Sequence, residues 1–226
     1  MYSFLRNFSG ISSIKTKDYH EKRAHYYMMF KGKSAKFCLT TEDNIHIAGL
    51  LIERSASDSV LVICHGYKQS KEHLLALAEL FPEYTIVLFD LRAHGDSGGN
   101  KISFGHHEYK DVCAILDFLK QDSRFNNKKL YGLGISMGAA SMAHAASKLD
   151  VFDGLILDSC FSVIDFKVVT KFIKIPYFLF NVGKFLFKII YDIDINSIKP
   201  GLYLSSLGIC LLTILQKTQS FMIFSI

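Results

Sequence analysis

A serine flanked by glycines at two-residue spacing is the feature of this sequence with the clearest chemistry. Gly134, Ser136 and Gly138 form a Gly-x-Ser-x-Gly pattern, in which small residues let the backbone make a sharp turn that projects the serine hydroxyl. An apolar segment precedes the turn at residues 129–133, and an alanine-rich segment follows at residues 136–148. Because this order is that of a strand, a turn and a helix, we predict that Ser136 is a nucleophile. The two glycines are then supporting residues of its turn.

A second feature with defined chemistry is the triplet His65, Gly66 and Tyr67, which follows the apolar run at residues 60–64. When a serine attacks a carbonyl group, negative charge develops on the carbonyl oxygen, and backbone N–H groups can stabilise it. We predict that the N–H groups of Tyr67 and Met137 are these oxyanion donors, with Gly66 supporting the loop. We interpret His65 as a loop residue that hydrogen-bonds the backbone, not as a catalytic base.

Apolar segments of strand length alternate with segments of helical periodicity through the middle of the sequence. The strand-like segments are residues 60–64, 85–89, 129–133 and 155–157. An earlier pair of segments, at residues 37–40 and 45–53, has the pattern of an antiparallel hairpin. The alternation predicts an α/β fold with a mostly parallel sheet and helices on both faces.

The order of these motifs is similar to that of the α/β-hydrolase superfamily. His65-Gly66 follows one strand, and the serine pattern comes later in the chain. Between them, after the next strand, lies the run Asp90-Leu91-Arg92-Ala93-His94-Gly95-Asp96-Ser97-Gly98-Gly99. Leu157-Asp158-Ser159 also resembles the acyl-hydrolase and serine-aminopeptidase-like branch of that superfamily. The resemblance spans about residues 37–199.

This resemblance implies an α/β-hydrolase fold and a serine–acid–histidine triad that acts on small-molecule ester, amide or acyl substrates. No metal and no other cofactor is expected. His94 and Asp96 would organise a loop and would not belong to the triad. Residues 161–190 are rich in Phe, Ile, Val and Lys. They would form a small apolar lid, with ordinary core helices as an equal alternative.

The sequence departs from the family pattern toward its end. No Asp or Glu follows Asp194 and no histidine follows His144, although the family places its acid and histidine after the serine. Residues 200–226 are rich in Leu, Ile, Ser and Phe, and Lys217 is the only charged side chain after Pro200. We interpret them as an apolar tail outside the family, and favour a frame change near Lys199. A membrane anchor and a genuine final strand or helix are the alternatives.

These observations predict a serine hydrolase whose activity is impaired in this chain, because the triad acid and histidine are missing and the C-terminal strands of the sheet are incomplete. A serine hydroxyl without a base is a poor nucleophile at neutral pH. The alternative is a non-enzymatic truncated remnant or a binding module. A third hypothesis is a complementing second chain that supplies the acid and the histidine.

The N-terminal segment and the cysteines bear on partners and location. Residues 1–36 form a basic arm with eight lysines and arginines against two acidic residues. We interpret the arm as solvated and expect no nucleic-acid binding, because no accompanying motif is present; a peripheral contact with an anionic membrane is the alternative. The five cysteines are scattered, and the N-terminus lacks the apolar stretch of a secretory signal, which favours a cytoplasmic protein with reduced thiols.

Overall fold

The computed structural model describes residue 30, residues 34–54, 56–162 and 199–204, the helical residues 182, 185, 188 and 189, and the backbone of residues 210–214. The strands are β1 (Ser34–Thr40), β2 (His46–Ile52), β3 (Ser59–Cys64), β4 (Thr85–Phe89), β5 (Lys129–Ile135), β6 (Gly154–Asp158) and β7 (Cys210–Ile214). The α-helices are α1 (Leu75–Ala78), α2 (Tyr109–Gln121), α3 (Met137–Lys148) and α4 (Pro200–Leu204). Two 3₁₀ helices span Lys71–Leu74 and Ser123–Phe125.

The strands form one sheet in the order β1-β2-β4-β3-β5-β6-β7. β1 pairs antiparallel with β2, and β2 pairs antiparallel with β4. The pairings of β3 with β4 and β5, of β5 with β6, and of β6 with β7 are parallel. The predicted mostly parallel sheet with an antiparallel hairpin is therefore confirmed. The hairpin begins at Ser34, within the segment that we interpreted as the basic arm.

Helices cover both faces of the sheet, as the sequence predicts. Successive residues of a strand point to opposite faces. In β3, Val60, Val62 and Cys64 belong to the core cluster that contains α2 and α3. Leu61 and Ile63 pack on the other face, against the first 3₁₀ helix and α1. Because both faces are covered, β3 is apolar from Val60 onward, which is typical of a strand inside a parallel sheet.

The residues just after β6 lie beside α4. The N–H of Gly201 donates to the carbonyl oxygen of Ser162 at 3.0 Å, so the two ends of the intervening segment lie side by side. Most of the predicted lid, residues 161–190, lies outside the described residues. β7 lies in the apolar tail and pairs with β6, so this part of the tail is a strand of the sheet. No helix among the described residues is long and apolar enough to cross a bilayer.

Candidate active site

Ser136 occupies a strained turn between β5 and α3. Its backbone has φ 52° and ψ −110°, in the region of positive φ that residues with a side chain rarely adopt. The N–H of Ser136 donates to the carbonyl oxygen of Asp158 at 2.8 Å, and the N–H of Ala140 donates to the carbonyl oxygen of Ser136 at 3.1 Å. Strain of this kind costs roughly 1–3 kcal/mol and persists only where the surroundings hold it. Here β6 and the first turn of α3 hold it.

The two glycines around Ser136 are required by close backbone contacts. A Cβ atom on Gly134 would lie 2.5 Å from the Cα atom of Ala139 in α3. A Cβ atom on Gly138 would collide with the carbonyl oxygens of Cys64 and His65. The helix therefore starts directly against the end of β3, and a side chain at position 138 would push the two apart. Both glycines thus bring the serine turn and the loop after β3 together.

The loop after β3 lies beside Ser136. A Cβ atom built on Gly66 would be 3.3 Å from the carbonyl oxygen of Ile135 and 3.5 Å from Cβ of Ser136. The N–H of Gly66 donates to the side chain of Gln69 at 3.0 Å, which closes the loop on itself. Met137 is the first residue of α3, so its N–H has no acceptor within the helix. The structure therefore brings Gly66, Ser136 and Met137 together at the carboxyl edge of the parallel strands.

Tyr67 adds an aromatic wall next to this edge. Its half-buried ring lies 5.6 Å from the ring of Phe104 and 6.2 Å from the imidazole of His94, measured between centroids. Tyr67 directly follows Gly66, so its backbone N–H belongs to the loop that contacts Ser136. The side chains around the serine turn on this side are thus partly aromatic.

His65 is a neutral, fully engaged side chain. Its Nδ1 lies 2.7 Å from the carbonyl oxygen of Gly66, which can only accept, so Nδ1 carries the proton. Nε2 then accepts the N–H of Leu91 at 3.0 Å. Burial, reinforced by the neighbouring His94, lowers the pKa of His65 to about 3. Both ring nitrogens are occupied in joining the loop after β3 to the loop after β4.

A buried cluster of charged side chains also joins the loop after β3 to the loop after β4. The backbone N–H of Lys71 donates to Asp90 at 2.7 Å, and its ammonium group contacts Asp90 at 2.5 Å and Asp96 at 3.0 Å. The ammonium group also lies 3.1 Å from Glu72, and Lys71 is only 1% exposed. Burial would lower the pKa of Lys71, but the carboxylates of Asp90 and Glu72 outweigh it and raise the pKa. Burial raises the pKa of Asp90 to about 6.

A second buried ion pair ties the loop after β4 to α2. The guanidinium group of Arg92 donates to Asp111 at 2.7 and 2.8 Å and to Asp43 at 2.8 and 3.0 Å. Its backbone N–H donates to Asp111 as well, at 2.8 Å. Burial raises the pKa of Asp111 to about 7, although the hydrogen bonds from Arg92 oppose this shift. The loop that contains His94 is therefore held on both sides of this residue, at Arg92 and at Asp96.

One carboxylate that sequence reasoning did not place in the site lies at the same edge. Asp158 ends β6 in register with Ile135 of β5, and its carbonyl oxygen binds the N–H of Ser136. Ser159, at φ 55°, donates its hydroxyl to the Asp158 carboxylate at 2.8 Å. The sequence signal that could have located this carboxylate is an aspartate at the end of a buried apolar strand.

The described residues contain no hydrogen bond between a histidine and Ser136. His144, eight residues beyond it in α3, instead stacks on Tyr203 at 4.2 Å, and its Nδ1 lies 3.2 Å from the carbonyl oxygen of Gly105. The same part of the chain has no group of three His, Cys, Asp or Glu side chains arranged to bind a metal ion. What the site offers is a serine hydroxyl beside backbone N–H groups.

Comparison with known proteins places this arrangement in a family. The family model described as serine aminopeptidase, S33, matches residues 55–206, about two thirds of the chain. The chain belongs to the serine aminopeptidase S33 family. The match contains Ser136 and the loop after β3. It also continues past Lys199 and includes α4, the first element of the segment that we interpreted as lying outside the family.

This S33 chain is similar to several proteins over part of its length. It is 28% identical over 133 residues to the uncharacterized protein YqkD of Bacillus subtilis, covering 55% of this chain and 43% of YqkD. It is 28% identical over 130 residues to an uncharacterized membrane protein of Saccharomyces cerevisiae, covering 56% of this chain and 45% of that protein. The chain thus spans less than half the length of these curated relatives.

A solved structure of the Pyrococcus furiosus esterase Pf2001 shares the fold of this S33 chain. The TM-score is 0.65 at 26% sequence identity, covering 83% of this chain and 72% of the esterase. The predicted α/β-hydrolase fold is therefore confirmed.

Proposed function

We propose that this chain carries the nucleophile and the oxyanion donors of a serine hydrolase that acts on ester or amide bonds of small acyl substrates. The observation that carries the proposal is the backbone of Ser136, held at positive φ with the loop after β3 against it. Strained residues of this kind cluster at active sites, where the strain presents a reactive group. Membership of the S33 family and the similarity to the P. furiosus esterase support this assignment.

In the proposed reaction, Oγ of Ser136 attacks the carbonyl carbon of the substrate and loses its proton to a base. The carbonyl oxygen becomes negatively charged, and the N–H groups of Tyr67 and Met137 donate to it. Because Met137 begins α3, the positive end of the helix dipole also favours this charge. Each such donor is worth roughly 3–4 kcal/mol of transition-state stabilisation. The leaving group then departs with a proton, and water hydrolyses the acyl-serine.

The described residues show no histidine hydrogen-bonded to Ser136 that could act as the base of this reaction. His65 cannot serve, because its protonated Nδ1 and its accepting Nε2 are both engaged by the backbone. In the printed sequence, no histidine follows His144 and no acidic residue follows Asp194. We therefore propose that a protein of this sequence alone turns over slowly, since loss of triad members removes several orders of magnitude in rate.

A binding module for acyl compounds is the second candidate function. The described residues show no histidine hydrogen-bonded to Ser136, which favours it, because the oxyanion donors and the aromatic wall at Tyr67 could still hold a carbonyl compound without cleaving it. A separate chain that supplies the acid and the histidine would restore turnover in the same site.

A fluorophosphonate probe tests the assignment of Ser136 in two forms of the protein. The first form is the 226-residue chain; the second is extended after β7 by a family segment that carries an acid and a histidine. We expect fast labelling of the extended form at Ser136, slow labelling of the unextended chain, and none of either after Ser136→Ala. A folded, extended form that hydrolyses no ester and is not labelled at Ser136 would contradict the proposal. Rapid ester hydrolysis by the unextended chain, lost in Ser136→Ala, would contradict the expected impairment.

A further inference from the structure

Three large apolar side chains lie exposed on one face of a helix in the segment between β6 and α4. Val182, Phe185 and Ile189 have helical backbone and are 46%, 64% and 63% exposed. Residues spaced three and four apart lie on the same side of a helix, so these three form one stripe. Burying such side chains would release water from apolar surface, which makes an uncovered stripe a candidate contact surface.

A positive charge borders this stripe. Lys188 is exposed and helical, three residues after Phe185 and adjacent to Ile189. The surrounding sequence also carries a net positive charge, because residues 161–190 contain five lysines and a single acidic residue, Asp165. An aromatic and aliphatic stripe bordered by lysine is typical of helices that lie in the plane of a membrane surface. Lysine side chains reach from such a position to anionic headgroups.

We propose that the face formed by Val182, Phe185, Lys188 and Ile189 docks on an anionic lipid surface. The proposal does not depend on the hydrolase assignment, because none of these side chains belongs to the site around Ser136. The segment that carries the face begins next to Ser162 and ends next to Gly201.

A second copy of this chain is a poorer match for the face. A stable interface buries about 800 Å² on each partner, whereas one aromatic side chain presents roughly 150–250 Å² at most. The three apolar side chains that the structure describes on this face, already partly covered, fall well short of that area. In a symmetric dimer the face would also meet its own copy, which brings two Lys188 ammonium groups into one interface, and the like charges would repel. An anionic surface instead removes the repulsion and matches the charge.

Sedimentation of the full chain with vesicles tests this proposal. One set of vesicles contains equal parts of phosphatidylcholine and phosphatidylserine, and the other contains phosphatidylcholine alone. We expect binding to the anionic set that weakens as salt is added. The double change Phe185→Ser with Ile189→Ser should weaken binding at least about tenfold, and Lys188→Gln about fivefold.

Leu80→Ser is the matched control, because Leu80 is another exposed large apolar residue, 71% exposed, in the turn after α1. It should leave vesicle binding unchanged. Absence of binding to anionic vesicles would overturn the proposal, as would equal losses in Leu80→Ser and in the double variant. Gel filtration gives a further check: a dimer that the double variant converts to monomer would assign the face to a second copy and overturn lipid docking. All of the substituted side chains are exposed, so the fold should survive each change.

Discussion

Replacing Lys71 with methionine removes a buried ammonium group and keeps most of the apolar volume of the side chain. Lys71 is 1% exposed and contacts the carboxylates of Asp90, Asp96 and Glu72 at 2.5–3.1 Å. Asp90 and Glu72 are themselves buried, so the variant would leave their charges without this cation. Removing one partner of a buried ion pair costs roughly 3–5 kcal/mol. That is a large fraction of the roughly 5–15 kcal/mol that stabilises an ordinary domain.

Urea unfolding followed by circular dichroism measures this loss as a change in the free energy of unfolding. The double variant Lys71→Met with Asp90→Asn removes both charges, so it should be less destabilised than the sum of the two single variants. Arg124→Met is the matched control, because Arg124 is 47% exposed in its ion pair with Glu53. Exposed pairs contribute little, and the control should lose less than about 1 kcal/mol.

The pH dependence gives a second check on the same variant. Burial already raises the pKa of Asp90 to about 6, and without Lys71 this pKa should rise further. The folded variant then takes up a proton at a pH where the unfolded carboxyl group is still ionised, so its stability loss relative to the parent should shrink as the pH falls. A loss below about 1 kcal/mol at neutral pH would refute the buried-cluster reasoning. So would a loss that does not change with pH.

Three further predictions concern the serine turn and the loop beside it. Ser136→Gly should raise the free energy of unfolding by up to about 1 kcal/mol in urea titrations, because glycine tolerates the φ of 52°. A lower free energy of unfolding in this variant would contradict the inference that the turn is strained. Gly138→Ala should lower the free energy of unfolding by roughly 1–3 kcal/mol, since the new Cβ collides with the carbonyl oxygens of Cys64 and His65. An unchanged free energy of unfolding would contradict that close contact. His65, with its pKa lowered from 6.5 to about 3, binds a proton only when unfolded in that range. Its contribution to stability should therefore fall by about 1.4 kcal/mol per pH unit below 6.5, and unfolding of His65→Gln across that range should lack this dependence.

Local patterns in the sequence were enough to predict much of the sheet and the position of the tight turn at Ser136. The apolar run at residues 60–64 became β3 because both faces of that strand are covered, which leaves no position for a polar side chain. Glycines around Ser136 predicted a tight turn, and the structure shows the backbone contacts that exclude a side chain there. Between β3 and β4 the chain forms only a 3₁₀ turn followed by the short α1, because the boundaries of such elements depend on how the loop packs.

Only the tertiary structure decided the features that depend on residues far apart in the chain. Nothing near Lys71 in sequence marks it as buried; its environment is created by Asp90 and Asp96, which the parallel pairing of β3 and β4 brings alongside. Asp158 lies next to Ser136 because β6 pairs with β5 in one particular register. From the sequence alone, residues 210–214 could belong to an apolar tail or to a strand. They form β7 because an apolar run becomes a strand only where a partner such as β6 shares its hydrogen bonds. Residue type and spacing therefore determined which groups could react, while strand pairing determined which of them meet.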